Sequence, residues 1–240
     1  MAEKISPQDV IARYEKLNAI WPDHDKWHVH TGKTIHDTVK QWVQARNRTT
    51  DRVLNIGSGG SNYGLEGLNI THTDLCARNL PVGESAVCNA ERLPFRDGAF
   101  DLTICVGSVL NYCDAFVAIA EMARITSPSG TLILEFEKSE NLEYMGLRAF
   151  RANAGIVTTF YAGEKERIWV YSERYITRLL ATVGLVPERR RPIHVVSSAL
   201  LPVFSNKVAA RFAGLDRIVG SISIFSKYAS NVMLQCARRS

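Results

Sequence analysis

From Arg52 onward, short apolar runs alternate with stretches long enough to hold a helix, and this alternation constrains the chain more than any other feature. Parallel strands need a crossover of about a dozen residues or more between them, usually helical, so the pattern predicts βαβ units around a mostly parallel sheet. The strand windows are Arg52–Ile56, Leu68–Thr73, Ser85–Cys88, Phe100–Val106 and Thr131–Phe136. Between the last two, Phe116, Ile119, Ala120 and Met122 recur at helical spacing and predict a helix over Ala115–Ile125. Ile156–Tyr161 and Arg167–Tyr171, joined by Ala-Gly-Glu-Lys-Glu, read as an antiparallel hairpin. A capped helix is expected at Ser172–Val183, stopped by Gly184. Two final strands, Leu185–Val196 and Ser221–Gln235, flank an apolar and basic segment, Ser197–Gly220, read as a helical insertion over the mouth of the sheet.

Upstream, Ser6 and Pro7 announce a first helix, and Ile35, Val39, Trp42 and Val43 a second over about Thr34–Arg46. The segment between them, Trp21 to His30, is rich in aromatic and imidazole groups and reads as a loop and candidate lid. With 240 residues, 46% of them hydrophobic, the chain is long enough to bury a full core. It shows no run of about 18 apolar residues and no apolar stretch in MAEKISPQDV, so a cytoplasmic address is expected. Five scattered cysteines without a CxxC pair argue against a disulfide framework, and no ligand spacing for a metal is visible. Residues 151–240 carry 14 Lys and Arg against 5 Asp and Glu, a basic face open to phosphates, carboxylates, an anionic membrane or RNA.

Three motifs carry chemistry. Leu54-Asn55-Ile56-Gly57-Ser58-Gly59-Gly60-Ser61 runs a strand into a glycine turn, where the backbone must bend sharply and approach a ligand closely. Nicotinamide and flavin enzymes use such turns too, and so do purely structural bends. Asp74 stands 17 residues after Gly57 at the end of the next strand, where a carboxylate can bind ribose hydroxyls. A solvated loop aspartate is the plain alternative. The third is the stretch Cys88-Asn89-Ala90-Glu91-Arg92-Leu93-Pro94-Phe95-Arg96-Asp97-Gly98-Ala99-Phe100-Asp101.

This last stretch resembles the type 11 family of class I S-adenosylmethionine (SAM)-dependent methyltransferases, which commonly read Asp-Ala-Glu, Leu-Pro-Phe, then an acid, Phe and Asp. With the glycine turn before it, and Gly107-Ser108-Val109-Leu110-Asn111-Tyr112 and Pro128-Ser129-Gly130-Thr131 after it, the likeness covers about Arg52–Glu137. It implies a Rossmann-like α/β fold: a mostly parallel seven-stranded sheet with an antiparallel C-terminal strand. Residues 1–48 would form a helical lid and 49–240 the SAM-binding domain, with insertions at about 139–171 and 197–220 shaping the acceptor pocket. The resemblance further implies SAM as cofactor, with S-adenosylhomocysteine as product. Gly57, Ser58 and Gly59 would lie under its methionine part, Asp74 and Leu75 at the ribose, and Asn89, Ala90 and Glu91 at the adenine. Gly107 and Ser108 would line the exit of the methyl group, and Tyr14 would close over the cofactor. The acid usual at the head of the first motif is Asn55 here, and the aspartate usual at the adenine is Asn89. Both can hydrogen-bond but lack the charge.

Methyl transfer needs the acceptor aligned in line and water excluded, and a base where the acceptor's pKa is high. His28 and His30, flanking Val29, are the base candidates, with Tyr112 and Glu135 near strand ends that face the expected pocket. The expected acceptor is a small or medium-sized metabolite or a modified peptide. Alternatives are a lipid or quinone methyltransferase at a membrane surface, suggested by Leu200 to Phe225, and a non-catalytic SAM-binding regulator, suggested by Asn55 and Asn89. Nucleic acid is disfavoured because aromatic residues do not interleave with Arg189-Arg190-Arg191.

Overall fold

A computed structural model describes residues 5–17, 19–195, 197–198, 212 and 223–239. Two helices, α1 (Pro7–Tyr14) and α2 (Lys26–Gln44), precede the sheet. The strands β1 (Arg52–Ile56), β2 (Asn69–Asp74), β3 (Ser85–Val87), β4 (Phe100–Cys105) and β5 (Thr126–Glu137) follow, with α3 (Ala115–Ile125) between the last two. A hairpin of β6 (Ala154–Tyr161) and β7 (Glu164–Tyr171) comes next, then α4 (Glu173–Thr182), β8 (Leu185–Ile193) and β9 (Asn231–Arg238). The seven-stranded sheet has the order β3-β2-β1-β4-β5-β9-β8. β1 to β5 pair in parallel, and β9 runs antiparallel between β5 and β8. The Rossmann-like fold expected from the resemblance is therefore present.

Period-two alternation divides the sheet into two buried faces. Val53, Leu102, Ile104 and Ile133 face Ile35, Val39, Trp42 and Val43 of α2. Leu54, Ile56, Leu132 and Leu134 face Ile119 and Met122 of α3 and Ile176 and Leu180 of α4. A smaller cluster of Tyr144, Ala149, Val157, Ile168 and Val170 fastens the hairpin.

Four expectations need correction. The segment Trp21–His30 is not all loop: Asp25 accepts from the His28 N–H, caps α2, and starts that helix eight residues before Thr34. The hairpin turn is only Ala162-Gly163, both at positive φ (53° and 85°), as a two-residue type I′ turn requires; Glu164 to Glu166 are therefore already in strand. The last strand starts at Asn231, and a helical turn occupies Ser223–Ser226 where strand was expected. On α3, Phe116 is exposed, because Ala115, Ala118, Ile119 and Met122 form the buried stripe. Of the expected insertion Ser197–Gly220, all but residues 197, 198 and 212 lies outside the described residues.

Ile133 is completely buried between the central strands and α2. Replacing it by Ala is expected to cost about 2–5 kcal/mol, read as a lowered urea midpoint with an unchanged slope.

Candidate active site

The two glycine turns lie side by side at the carboxyl ends of β1 and β4, where open α/β sheets bind their ligands. Each is held by a carboxylate from the neighbouring strand. Asp74, at the end of β2, accepts the Gly59 N–H at 3.0 Å and the Cys76 N–H at 2.8 Å. Glu135, fully buried on β5, accepts the Ser108 N–H at 2.6 Å and an amide hydrogen of Asn231 at 2.6 Å, and hydrogen-bonds the Gly107 backbone. Burial raises the Glu135 carboxyl above its ordinary pKa, and these donors pull it back. Its role is to hold the Gly107-Ser108 turn; it does not line the cavities described next, contrary to its expected place at the pocket.

A cleft of about 490 Å³ runs over the carboxyl ends of β1, β2 and β4. Tyr14, Gly57, Ser58, Gly59, Asp74, Leu75, Asn89, Ala90, Gly107 and Tyr112 all line it. So do residues that motif reasoning missed: Val10, Ile20, Trp21 and Val29 from the N-terminal segment. Gly57 sits at φ +63°, and a Cβ there would come within 2.3 Å of Val109. Gly107, at φ +81°, is different: a Cβ would meet nothing within 4 Å, so the backbone is laid bare to the open cleft.

Asn55 and Glu91 do not line the cleft. Asn55 is buried behind the turn and donates to the Ser61 carbonyl at 2.7 Å, which shapes the turn from beneath. Glu91 accepts the Asp114 N–H at 2.7 Å and so anchors the entry to α3. Asn89 accepts the Glu91 N–H at 2.9 Å in a tight local turn.

A second, smaller cavity of about 50 Å³ adjoins the cleft and shares Tyr14, Ile20, Trp21, Gly107 and Tyr112 with it. Its own walls include Trp27, His28, Ser108, Glu137, Tyr161, Glu166 and Asn231. His28 belongs here, with Nδ1 2.6 Å from the Asp25 carboxylate, which leaves Nε2 free to face another partner. His30 does not, and packs 5.6 Å from the His194 ring. The reason is helical geometry: in α2 residues two apart project about 200° apart, so two histidines flanking Val29 cannot serve one site.

A hydrogen-bond chain closes this cavity. Tyr112 donates to Glu166 at 2.7 Å, Tyr14 stands 3.1 Å from the Tyr112 oxygen, and the Arg13 guanidinium is 3.3 Å from Glu166. Arg13 also donates to the Tyr161 and Lys165 carbonyls, tying α1 to the hairpin. Burial pushes both Tyr14 and Tyr112 well above the ordinary phenol range, so they stay protonated and act as donors, never as bases, at neutral pH. Glu137 is also held in place: Asn111 accepts its N–H at 2.8 Å and donates to its carbonyl at 3.0 Å, and Tyr144 donates to its carboxylate.

The comparisons with known proteins agree with this geometry. A family model described as a methyltransferase domain matches residues 54–134. Over that stretch the chain is similar to class I SAM-dependent methyltransferases of type 11. The ubiquinone/menaquinone biosynthesis C-methyltransferase UbiE of Burkholderia cenocepacia (strain HI2424) is 32% identical over 116 residues, which is 40% of this chain and 47% of that protein. The chain thus aligns with about half the length of the curated relatives it matches. Among solved structures, 1,6-didemethyltoxoflavin-N1-methyltransferase of Burkholderia thailandensis has a TM-score of 0.58 at 13% identity, covering 100% of this chain and 93% of that one. A protein of Pyrococcus horikoshii OT3 has a TM-score of 0.60 at 14% identity, covering 95% and 99%. At such identities the likeness is one of fold. Among the described residues, no helix is long and apolar enough to cross a membrane, and no cluster of His, Cys, Asp and Glu has the makings of a metal site.

The cavity carboxyls impose a pH dependence. Burial, reinforced by the charges of Glu143, Glu166 and Glu135, raises Glu137 from an ordinary 4.5 to about 8. A carboxyl raised in the fold stabilises it below the unfolded pKa, and that share is lost as pH climbs to the folded value. Glu135, Glu143 and Glu166 are raised as well and act in the same direction. Urea titrations from pH 4.5 to 8 are expected to show falling stability, with a shallower fall in Glu137→Gln.

Proposed function

We propose that this chain transfers the methyl group of SAM to a small-molecule acceptor. The observation that carries the reading is the meeting of the two cavities at Gly107 and Tyr112. One is large enough for a nucleoside cofactor, within the roughly 300–1,000 Å³ usual for such sites. The other abuts it where a transferable group would emerge.

The residues present fit the cofactor. The cleft is bare of side chains at Gly107, where a thioether-sized group can lie against the backbone. Asp74 keeps a lone pair on Oδ2 beyond its bond to Gly59 and so can accept from a ribose hydroxyl. Asn89 and Ala90 border the cleft at the end where the adenine belongs, and Tyr14 covers it from α1. When bound, SAM supplies an electrophilic methyl on a sulfonium, so the protein's task is alignment and exclusion of water. Trp21 and Tyr14 shut the shared boundary, and Tyr112 and His28 face the acceptor. Asp25 holds the His28 ring through Nδ1, with the residue on the wall of the smaller cavity. A quinone-type acceptor would need apolar walls where Glu137 and Glu166 stand, so the reading is confined to polar acceptors.

Calorimetric titration with S-adenosylhomocysteine tests the cofactor half. Binding near micromolar, about −8 kcal/mol, is expected for the wild type, weakened at least tenfold in Asp74→Ala. Absence of binding to the wild type would sink the reading. Binding of the cofactor with no methyl transfer to any polar acceptor would point instead to a regulator.

A further inference from the structure

The smaller cavity has an unusual charge balance for an acceptor site. Two carboxyls, Glu137 and Glu166, open on it, and no Lys or Arg lines it among the described residues. Glu166 has its own cation, Arg13, at 3.3 Å. Glu137 has none: its carboxylate accepts from the Tyr144 hydroxyl, and the other charged groups acting on it are Glu135, Glu143 and Glu166, all of its own sign. His28 faces the same space but is already paired with Asp25. A half-buried, largely desolvated carboxyl that faces only like charges favours either its own proton or a cation from outside. The walls around it are aromatic, with Trp21, Trp27 and Tyr161, and aromatic faces attract cations.

We propose that the methyl acceptor is a primary or secondary amine that enters as an ammonium ion paired with Glu137. The inference rests on the reading above that the smaller cavity is the acceptor side. Glu137 then does two things in sequence. It binds the ammonium, and it takes one N–H proton, which frees the nitrogen lone pair. The neutral nitrogen attacks the methyl carbon in line. The new N–C bond forms as the C–S bond breaks, its electron pair stays on sulfur, and the positive charge passes from sulfur to the N-methylated product. Charge and atoms balance without a further reactant, and the buried carboxyl's raised proton affinity suits it to receive that proton.

The test uses the full chain saturated with S-adenosylhomocysteine, so that no turnover occurs, and two probes small enough for the cavity that differ only in the end group: ethylamine and ethanol. The wild type is expected to bind the amine at least tenfold more tightly, and Glu137→Gln to abolish the preference while leaving S-adenosylhomocysteine affinity unchanged. A second readout needs no variant. Repeating the amine titration at pH 7 in phosphate and in Tris, whose ionisation enthalpies differ, is expected to show about one proton released per amine bound, as Glu137 ionises against the ammonium, and none for the alcohol. Equal affinities, no measurable amine binding, a preference that survives in Glu137→Gln, or no proton release would each overturn the proposal. If S-adenosylhomocysteine itself fails to bind, the cofactor reading has fallen, and that result is read before any amine is added.

Discussion

Two carboxylates hold the ligand-facing backbone of this protein in shape. Asp74 and Glu135 stand at the ends of β2 and β5, and each reaches across to the turn that follows the adjacent strand. Taking a carboxylate out of water costs several kcal/mol unless donors replace the lost hydration. Here those donors are the backbone N–H groups of Gly59, Cys76 and Ser108 with the Asn231 amide, so the turns satisfy the carboxylates and the carboxylates fix the turns. The geometry of the cleft follows from this exchange. Gly57 must take φ +63° against Val109, and Gly107 exposes bare backbone where the two cavities meet.

The N-terminal helices extend the same economy of parts. α2 is both core and wall: Val39, Trp42 and Val43 in its second half pack on the sheet, while Trp27, His28 and Val29 in its first turns border the cavities. A residue that shapes the acceptor side is therefore continuous with one that stabilises the fold. α1 is held differently, by Arg13 bound to the hairpin carbonyls and to Glu166 and by Arg78 donating to the Leu17 carbonyl. Polar clasps of this kind are weaker than core packing.

Much of the lining of the cleft could be read from the sequence because its determinants are local. A strand ending in Gly-Ser-Gly-Gly, an acid at the next strand end, and the Asn89 to Asp101 stretch each specify backbone shape within a few residues, and all but Asn55 and Glu91 of the residues expected from Asn55 to Glu91 line the cleft. Those two fail for a reason spacing cannot reveal. Asn55 lies within β1 on the face that α2 covers, so its side chain points beneath the turn, and the Glu91 carboxylate is taken by the backbone of Asp114. The smaller cavity is hidden in the sequence because its walls come from α1, α2, β5, β6, β7 and β9, distant in sequence and carrying no shared motif.

By itself, then, the sequence determined the alternating βαβ order, the two-faced hydrophobic pattern and the glycine turns, since these depend on periodicity and on which residues tolerate positive φ. Only the tertiary structure decided which histidine faces the site. The Asp25 cap lengthens α2 and sends His28 and His30 to opposite sides, a consequence of a helix start that the aromatic-rich stretch did not announce. Only the tertiary structure, likewise, brought Glu137 and Glu166 into one half-enclosed space walled by Tyr14, Trp21, Trp27, Tyr112 and Tyr161. Burial and the proximity of like charges set the chemistry of a carboxyl, and both are properties of the packed molecule rather than of the chain.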